Sequence, residues 1–288
     1  MKLFKNIIMK KTIALLLMLY ACLLYSQNDR FVYEIDYKKD SASTEITKEN
    51  YNLDITQEGI TYYNRLYYTN DSLYAKTQVF GFEKFRLTSF LSKKTKNTFY
   101  ESYEYIGDVN FYKLEEPVNL NWKISDSTKT INNLKLQQAE TNFGGRKWIA
   151  WFAQEIPLSY GPYKFNGLPG LIIEIYDIQK DYIFKLIKSE KIPKAYESYT
   201  LGSFKSRAIK TNYKKLNNLK LDLYQNPFKY VLNGSGMSLA LEKGKKLQLE
   251  DGTILTKEQL KPAEKSERIK IKSFNNPIEL NKAVKYPE

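Results

Sequence analysis

Glu155, Glu174 and Asp177 are the side chains whose type and spacing come nearest to catalysis in this sequence. Glycoside hydrolysis runs on two carboxylates, one protonated and one ionised. Glu174 shares a strand face with Ile172 and Tyr176, so burial there would raise its pKa and suit it to the acid role. The plainer reading makes Glu174 a salt-bridged residue on a half-exposed face, because no second carboxylate stands at a legible spacing from it. Arg146 and Lys164 each flank a glycine-bearing turn, where a cation and backbone N–H groups together could hold a carboxylate or phosphate. Each could equally partner an acid such as Glu155. Trp151 and Tyr163 complete the candidate binding set, although Trp148 and Trp151 on one segment fit a core strand as well as an aromatic platform. No residue is assigned as catalytic.

The missing residue types narrow the chemistry further. The 288-residue chain holds no histidine, and its single cysteine is Cys22. That excludes Ser-His-Asp and Cys-His nucleophiles and any zinc, copper or haem site built on histidine. Carboxylate or Ser-Lys catalysis, oxygen-ligated calcium or magnesium, and binding without chemistry remain. No cofactor and no metal is expected.

The first 26 residues read as a signal peptide. Lys2, Lys5, Lys10 and Lys11 precede an apolar run from Ile13 to Tyr25, which Ser26 closes. That run is short of the roughly 20 residues a membrane span needs. Cleavage after Ser26 leaves residues 27–288 as one mature domain without a disulfide, exported to the periplasm or the outer-membrane surface. A lipoprotein anchored at Cys22 is the alternative, weakened by bulky Tyr20. Net charge is +13, and residues 191–288 carry the excess with eighteen lysines and two arginines against ten acids. An exported protein meets anionic head groups rather than nucleic acid, so contact with a membrane surface is one reading of this basic third. A solvated lysine-rich surface is the other.

The elements that must position these residues are mostly strands. Period-2 alternation marks "RFVYEIDYK", "YNLDIT", "ITYYNRLYY", "NTFYESYEYIG", "KLEEPVNLNWKIS", "NNLKLQQAETNF", "RKWIAWFA" and "YIFKLIKSEKI". Residues 160–177, "YGPYKFNGLPGLIIEIYD", read as a sharp corner entering an interior strand. Asn166-Gly167 suits a type I′ turn and Pro169-Gly170 the centre of a type II turn, both requiring positive φ at the glycine. A phosphate loop is excluded, since Gly170 leads into β-branched residues rather than a helix. Later, "TNYKKLNNLKLDLYQNP" has helical spacing, Thr256 and Gln259 suit a capping box for a short helix ahead of Pro262, and "SERIKIKSF" reads as a lysine-protected edge strand. The expected fold is mainly β: an antiparallel, curved sheet with a few helices, more helical toward the C-terminus. By analogy with envelope carrier proteins it would be a half-barrel around a helix.

The stretch "NFGGRKWIAWFAQEIPLSYGPYKFNGLPGLIIEIYD" resembles the GLPGLI family. The motif stands unsubstituted at Gly167, Leu168, Pro169, Gly170, Leu171 and Ile172. Ile156-Pro157, "GPYKF" from Gly161 and Pro162 to Phe165, and "NNPIEL" at Asn275 to Leu280 agree as well. The resemblance implies an exported protein of Bacteroidetes without an established activity. Family members are often encoded near TonB-dependent outer-membrane receptors, which implies an outer-membrane receptor or other envelope protein as partner. "DSA", "DSL" and "DST" resemble that phylum's O-glycosylation motif, making Ser41, Ser72 and Ser127 candidate sites if each lies in an exposed loop. The reading is therefore a non-enzymatic binding or accessory module for an outer-membrane partner or apolar ligand. The alternative is a carboxylate-dependent hydrolase of envelope glycan or peptide.

Overall fold

The computed structural model describes residues 28–78, 88–106, 111–193, 198–229, 247–248, 254–256 and 258–287. The signal segment and Cys22 lie outside them. Twelve strands form one sheet: β1 (Asn28–Tyr37), β2 (Thr47–Thr56), β3 (Gly59–Asn64), β4 (Phe90–Lys94), β5 (Phe99–Tyr105), β6 (Phe111–Pro117), β7 (Lys123–Ile131), β8 (Leu134–Phe143), β9 (Arg146–Ala153), β10 (Leu171–Asp177), β11 (Tyr182–Ile192) and β12 (Ile209–Lys210). Their order is β12-β6-β5-β4-β3-β2-β1-β11-β10-β9-β8-β7, antiparallel throughout except for the short β12–β6 pairing. Among the described residues four helices accompany it: α1 (Arg65–Thr77), α2 (Tyr199–Arg207), α3 (Tyr213–Gln225) and α4 (Leu260–Ser273). The fold is mainly β and its helices gather toward the C-terminus, as the sequence implies.

Chain length dictates the curvature. β6 and β7 stand ten places apart in the sheet, which in a flat sheet would separate them by about 48 Å at about 4.8 Å per strand. Residues 118–122 alone join them, and that reach cannot exceed about 22 Å. The sheet must therefore curl until its two ends approach. Among the described residues it is not a helix, as the analogy suggested, that packs into the core of the hollow, but residues 154–170 between β9 and β10 together with a C-terminal strap, residues 275–283. α3 covers only the β5–β6 end, through Leu216 against Tyr112 and Leu114.

Two segments depart from the alternation read in the sequence. "ITYYNRLYY" is a strand only to Asn64, whose side chain accepts from the Leu66 amide and starts α1. Tyr67 then packs with Phe90, Tyr103 and Phe111 on the convex face, where α1 and α2 lie. "SERIKIKSF" belongs to α4, not to an edge strand. The reciprocal bonds between Thr256 and Gln259 do form, each side chain accepting from the other's amide, but the helix begins after Gln259 and runs fourteen residues through Pro262 and both isoleucines instead of ending ahead of the proline. On β9, Trp148, Ala150 and Phe152 face the hollow, while Ile149 and Trp151 lie half-buried on the convex side.

Candidate functional site

The corner is held by its own backbone first. The Gly167 amide donates to the Ser159 carbonyl (3.0 Å), that of Leu171 to Ile156 (2.9 Å) and that of Ile172 to Tyr160 (3.0 Å). Phe165 and Leu168 point into the hollow and are 1% exposed, each burial contributing about 1.5–3 kcal/mol. Phe165 packs edge-on against Trp148 at 4.7 Å and meets Phe143 at 5.6 Å. From the connection between β6 and β7, Trp122 Nε1 donates to the Asn166 carbonyl at 2.8 Å. Pro162 is buried, while Gly167 and Pro169 are exposed at the rim.

The turn types differ from those expected. Gly167 has φ +94°, but Asn166 lacks the positive φ that a type I′ turn demands, and Gly170 lacks the one a type II turn demands. Gly170 is needed for a different reason: a Cβ there would lie 2.2 Å from the Ala153 carbonyl oxygen. Close backbone approach, not handedness, selects this glycine.

Two buried ionic clusters fasten corner, hairpin and strap. In the first, Lys164 Nζ donates to Glu116 (2.5 Å) and Glu279 (2.7 Å), and Lys282 bridges the same two acids at 2.6 and 2.5 Å. The Ser102 and Tyr163 hydroxyls donate to Glu116 and Glu279, each at 2.6 Å. In the second, Arg146 donates to Asp177 (2.7 Å), Asn276 Oδ1 (2.5 Å) and the carbonyls of Pro277 (2.9 Å) and Ile278 (3.1 Å). Gly144 and Gly145, at φ +64° and +82°, form the β8–β9 turn directly beneath the strap; a Cβ on Gly144 would stand 2.9 Å from the Glu279 Cα. "GGR", "YK" and "NNPIE" are thus parts of one clasp.

Lys164 draws Glu116 and Glu279 together, its ammonium 2.5 Å from one and 2.7 Å from the other, and a close carboxylate pair is what a retaining glycosidase uses. Their protonation is wrong for that role. Burial pushes both carboxyls up, but Lys164 and Lys282, with the hydroxyl donors, outweigh it and hold both below the ordinary 4.5. Neither is kept as the neutral acid that a glycosidase requires, and an ammonium lies between them. Burial and the Glu279 carboxylate push the Tyr163 phenol well above 10, which suits a fixed donor. A cleft of about 290 Å³ opens beside the cluster, walled by Pro117, Val118, Phe143 and Tyr213. That is the small end of the range for ligand sites.

The clasp's stability should depend on pH in a defined direction. Because Glu116 and Glu279 titrate lower in the fold than unfolded, their contribution is complete above pH 4.5 and is lost as pH falls through their folded values. Lys282 is shifted upward, its carboxylate partners outweighing burial, so its contribution is complete below 10.5 and is lost as pH rises through its folded value. Thermal melts from about pH 7 down to about pH 3 should steepen below 4.5, and Glu279→Gln should flatten that slope. An unchanged slope would remove Glu279 from the account.

The remaining sequence candidates are scattered. Glu174 pairs with Lys129, whose ammonium also lies 4.3 Å from the Trp151 ring centroid on the convex face. Asp177 points from the same strand to the opposite face, so the two acids are split by the sheet. Glu155 is exposed, and its nearest recorded donor is the Lys135 amide at 3.5 Å. It partners neither Arg146 nor Lys164. Tyr163 is turned inward to Glu279. Ser41 is exposed in a turn with its hydroxyl on Asn275, Ser127 is exposed but stands on strand β7, and Ser72 lies half-buried in α1, so neither of the last two has the loop setting the motif requires. Glu116 and Glu279 were not singled out from sequence; "NNPIEL" alone pointed toward the second.

No curated protein gives a significant match to the chain. Two solved structures of PNGF-II are similar over 67% of it, at 12% and 11% identity, each with a TM-score of 0.50. The chain spans about a third of their length, 32% and 33%. A LolA superfamily protein from Nitrosomonas europaea matches over 58% of this chain and 88% of its own, at 9% identity and a TM-score of 0.26. Residues 119–174, from the β6–β7 connection through β7, β8, β9 and the corner into β10, match the family model described as a protein of unknown function (Porph_ging).

Proposed function

We propose that this chain is an exported cell-envelope protein of the GLPGLI type, of Bacteroidetes origin, serving as a non-enzymatic binding or accessory module for an outer-membrane partner. The observation that carries this reading is the state of the acids. The close carboxylate pair is held ionised by two lysines, and the charges flanking the motif, Arg146 and Lys164, are engaged by Asp177, Asn276, Glu116 and Glu279. The motif builds a rigid corner and leaves its rim free: Pro157, Ser159, Gly167 and Pro169 are exposed beside half-buried Ile156, Leu158 and Trp122. A rim of this kind suits a protein contact.

A photo-reactive residue replacing Ser159 in the native host tests this, with Ile178, 50% exposed at the other end of β10, as the control position. One outer-membrane protein captured from Ser159 alone is the expected result. No capture from Ser159, with the protein abundant and folded, would sink the proposal.

A further inference from the structure

Among the four described helices, α4 alone buries no residue. Arg268 ties it to the body, donating to the Tyr224 and Gln225 carbonyls at 3.1 and 2.7 Å at the end of α3. At about 100° per residue, Lys261, Lys265, Ile269 and Lys272 fall within one outward arc of about 80°. All four are exposed, Ile269 by 62%, and Phe274, 48% exposed, follows the last turn. The two acids of α4, Glu264 and Glu267, lie round the other side and pair with Arg268 (3.8 Å) and Lys270 (3.2 Å). Among the described residues no carboxylate reaches the three lysines of the outward arc; Lys272 donates only to the Pro287 carbonyl.

From this arrangement we infer that α4 docks the protein on anionic lipid, its lysines at the head-group phosphates and Ile269 entering the acyl boundary. A nucleic-acid backbone offers similar phosphates but no apolar phase for that side chain. The proposal does not depend on the rim contact, which lies on other elements.

Co-sedimentation with phosphatidylcholine vesicles, with and without phosphatidylglycerol, tests it. Wild type and variants are purified in the same form, so that residues 1–27 contribute equally. Wild type should sediment with the anionic vesicles and release as rising salt shortens the screening length below about 10 Å. Replacing Lys261, Lys265 and Lys272 by glutamine should lower the partition coefficient roughly a hundredfold, from about fivefold per lysine. The same replacement at Lys93, Lys94 and Lys96 of the β4–β5 hairpin should leave it unchanged, and melting temperatures should match across the set. Ile269→Ser should loosen binding at low and high salt alike. Equal binding to neutral vesicles, equal loss in both triple variants, or retention on duplex DNA without vesicle binding would overturn the proposal.

Discussion

Arg146→Ala should lower the unfolding free energy by about 3–5 kcal/mol, the usual cost of removing one partner from a buried ion pair. Arg146 is 4% exposed and Asp177 is fully buried. The variant leaves that carboxylate with the Tyr182 amide, 2.9 Å from Oδ1, but without its cation. It also strips the donor from the buried Asn276 Oδ1 and from two half-buried strap carbonyls. Arg146→Lys should recover little, because a single ammonium cannot reproduce a planar fork aimed at several acceptors. Urea unfolding midpoints measure both. A loss below about 1 kcal/mol for Arg146→Ala would mean that the pair behaves as an exposed one and that the strap is held by its apolar contacts instead.

Gly170→Ala should be the most damaging change within the motif, more so than Gly167→Ala. A methyl group at Gly170 meets the Ala153 carbonyl at 2.2 Å and its carbon at 2.7 Å. Both atoms belong to the end of β9, where β10 pairs with it at Leu171. Relief requires the corner and the strand pairing to separate, so the cost should reach or exceed the roughly 3 kcal/mol upper end of ordinary overpacking. At Gly167 the nearest atom is Trp122 Nε1 at 3.9 Å, and only the positive φ resists substitution, worth about 1–3 kcal/mol. Thermal melts of the two variants rank them. The opposite order would show that the handedness of Gly167, and not the packing of Gly170 on β9, governs the motif.

Much of the local structure was legible in the sequence, for reasons that act over a few residues. Alternation in "RFVYEIDYK" puts Tyr33 and Ile35 on the buried face of β1 because a strand's side chains alternate by geometry. Asn212 and the Tyr213, Leu216 and Leu223 spacing delimit α3 through capping and a 3.6-residue period. Where two local readings competed, nearest-neighbour rules failed. The Ile-Lys-Ile-Lys stretch has a strand's period, yet it lies within the fourteen-residue helix α4.

What only the tertiary structure decided is which distant residues meet. The curl of the sheet follows from strand order, since a five-residue connection has to join strands ten places apart. Once the ends approach, β6 supplies Glu116 to Lys164, with Ser102 of β5 donating to that Glu116, and the strap supplies Glu279 to Lys164 and Asn276 to Arg146, each from more than a hundred residues away. No pattern in neighbouring residues encodes such pairs. Arg30 with Asp54 and Tyr63 is a third buried example, on the convex side. The sequence by itself determined a histidine-free, strand-rich chain with a glycine-proline corner. Burial then decided that its conspicuous charges bind one another, because a charge leaves water at a cost that only a partner within hydrogen-bond reach offsets.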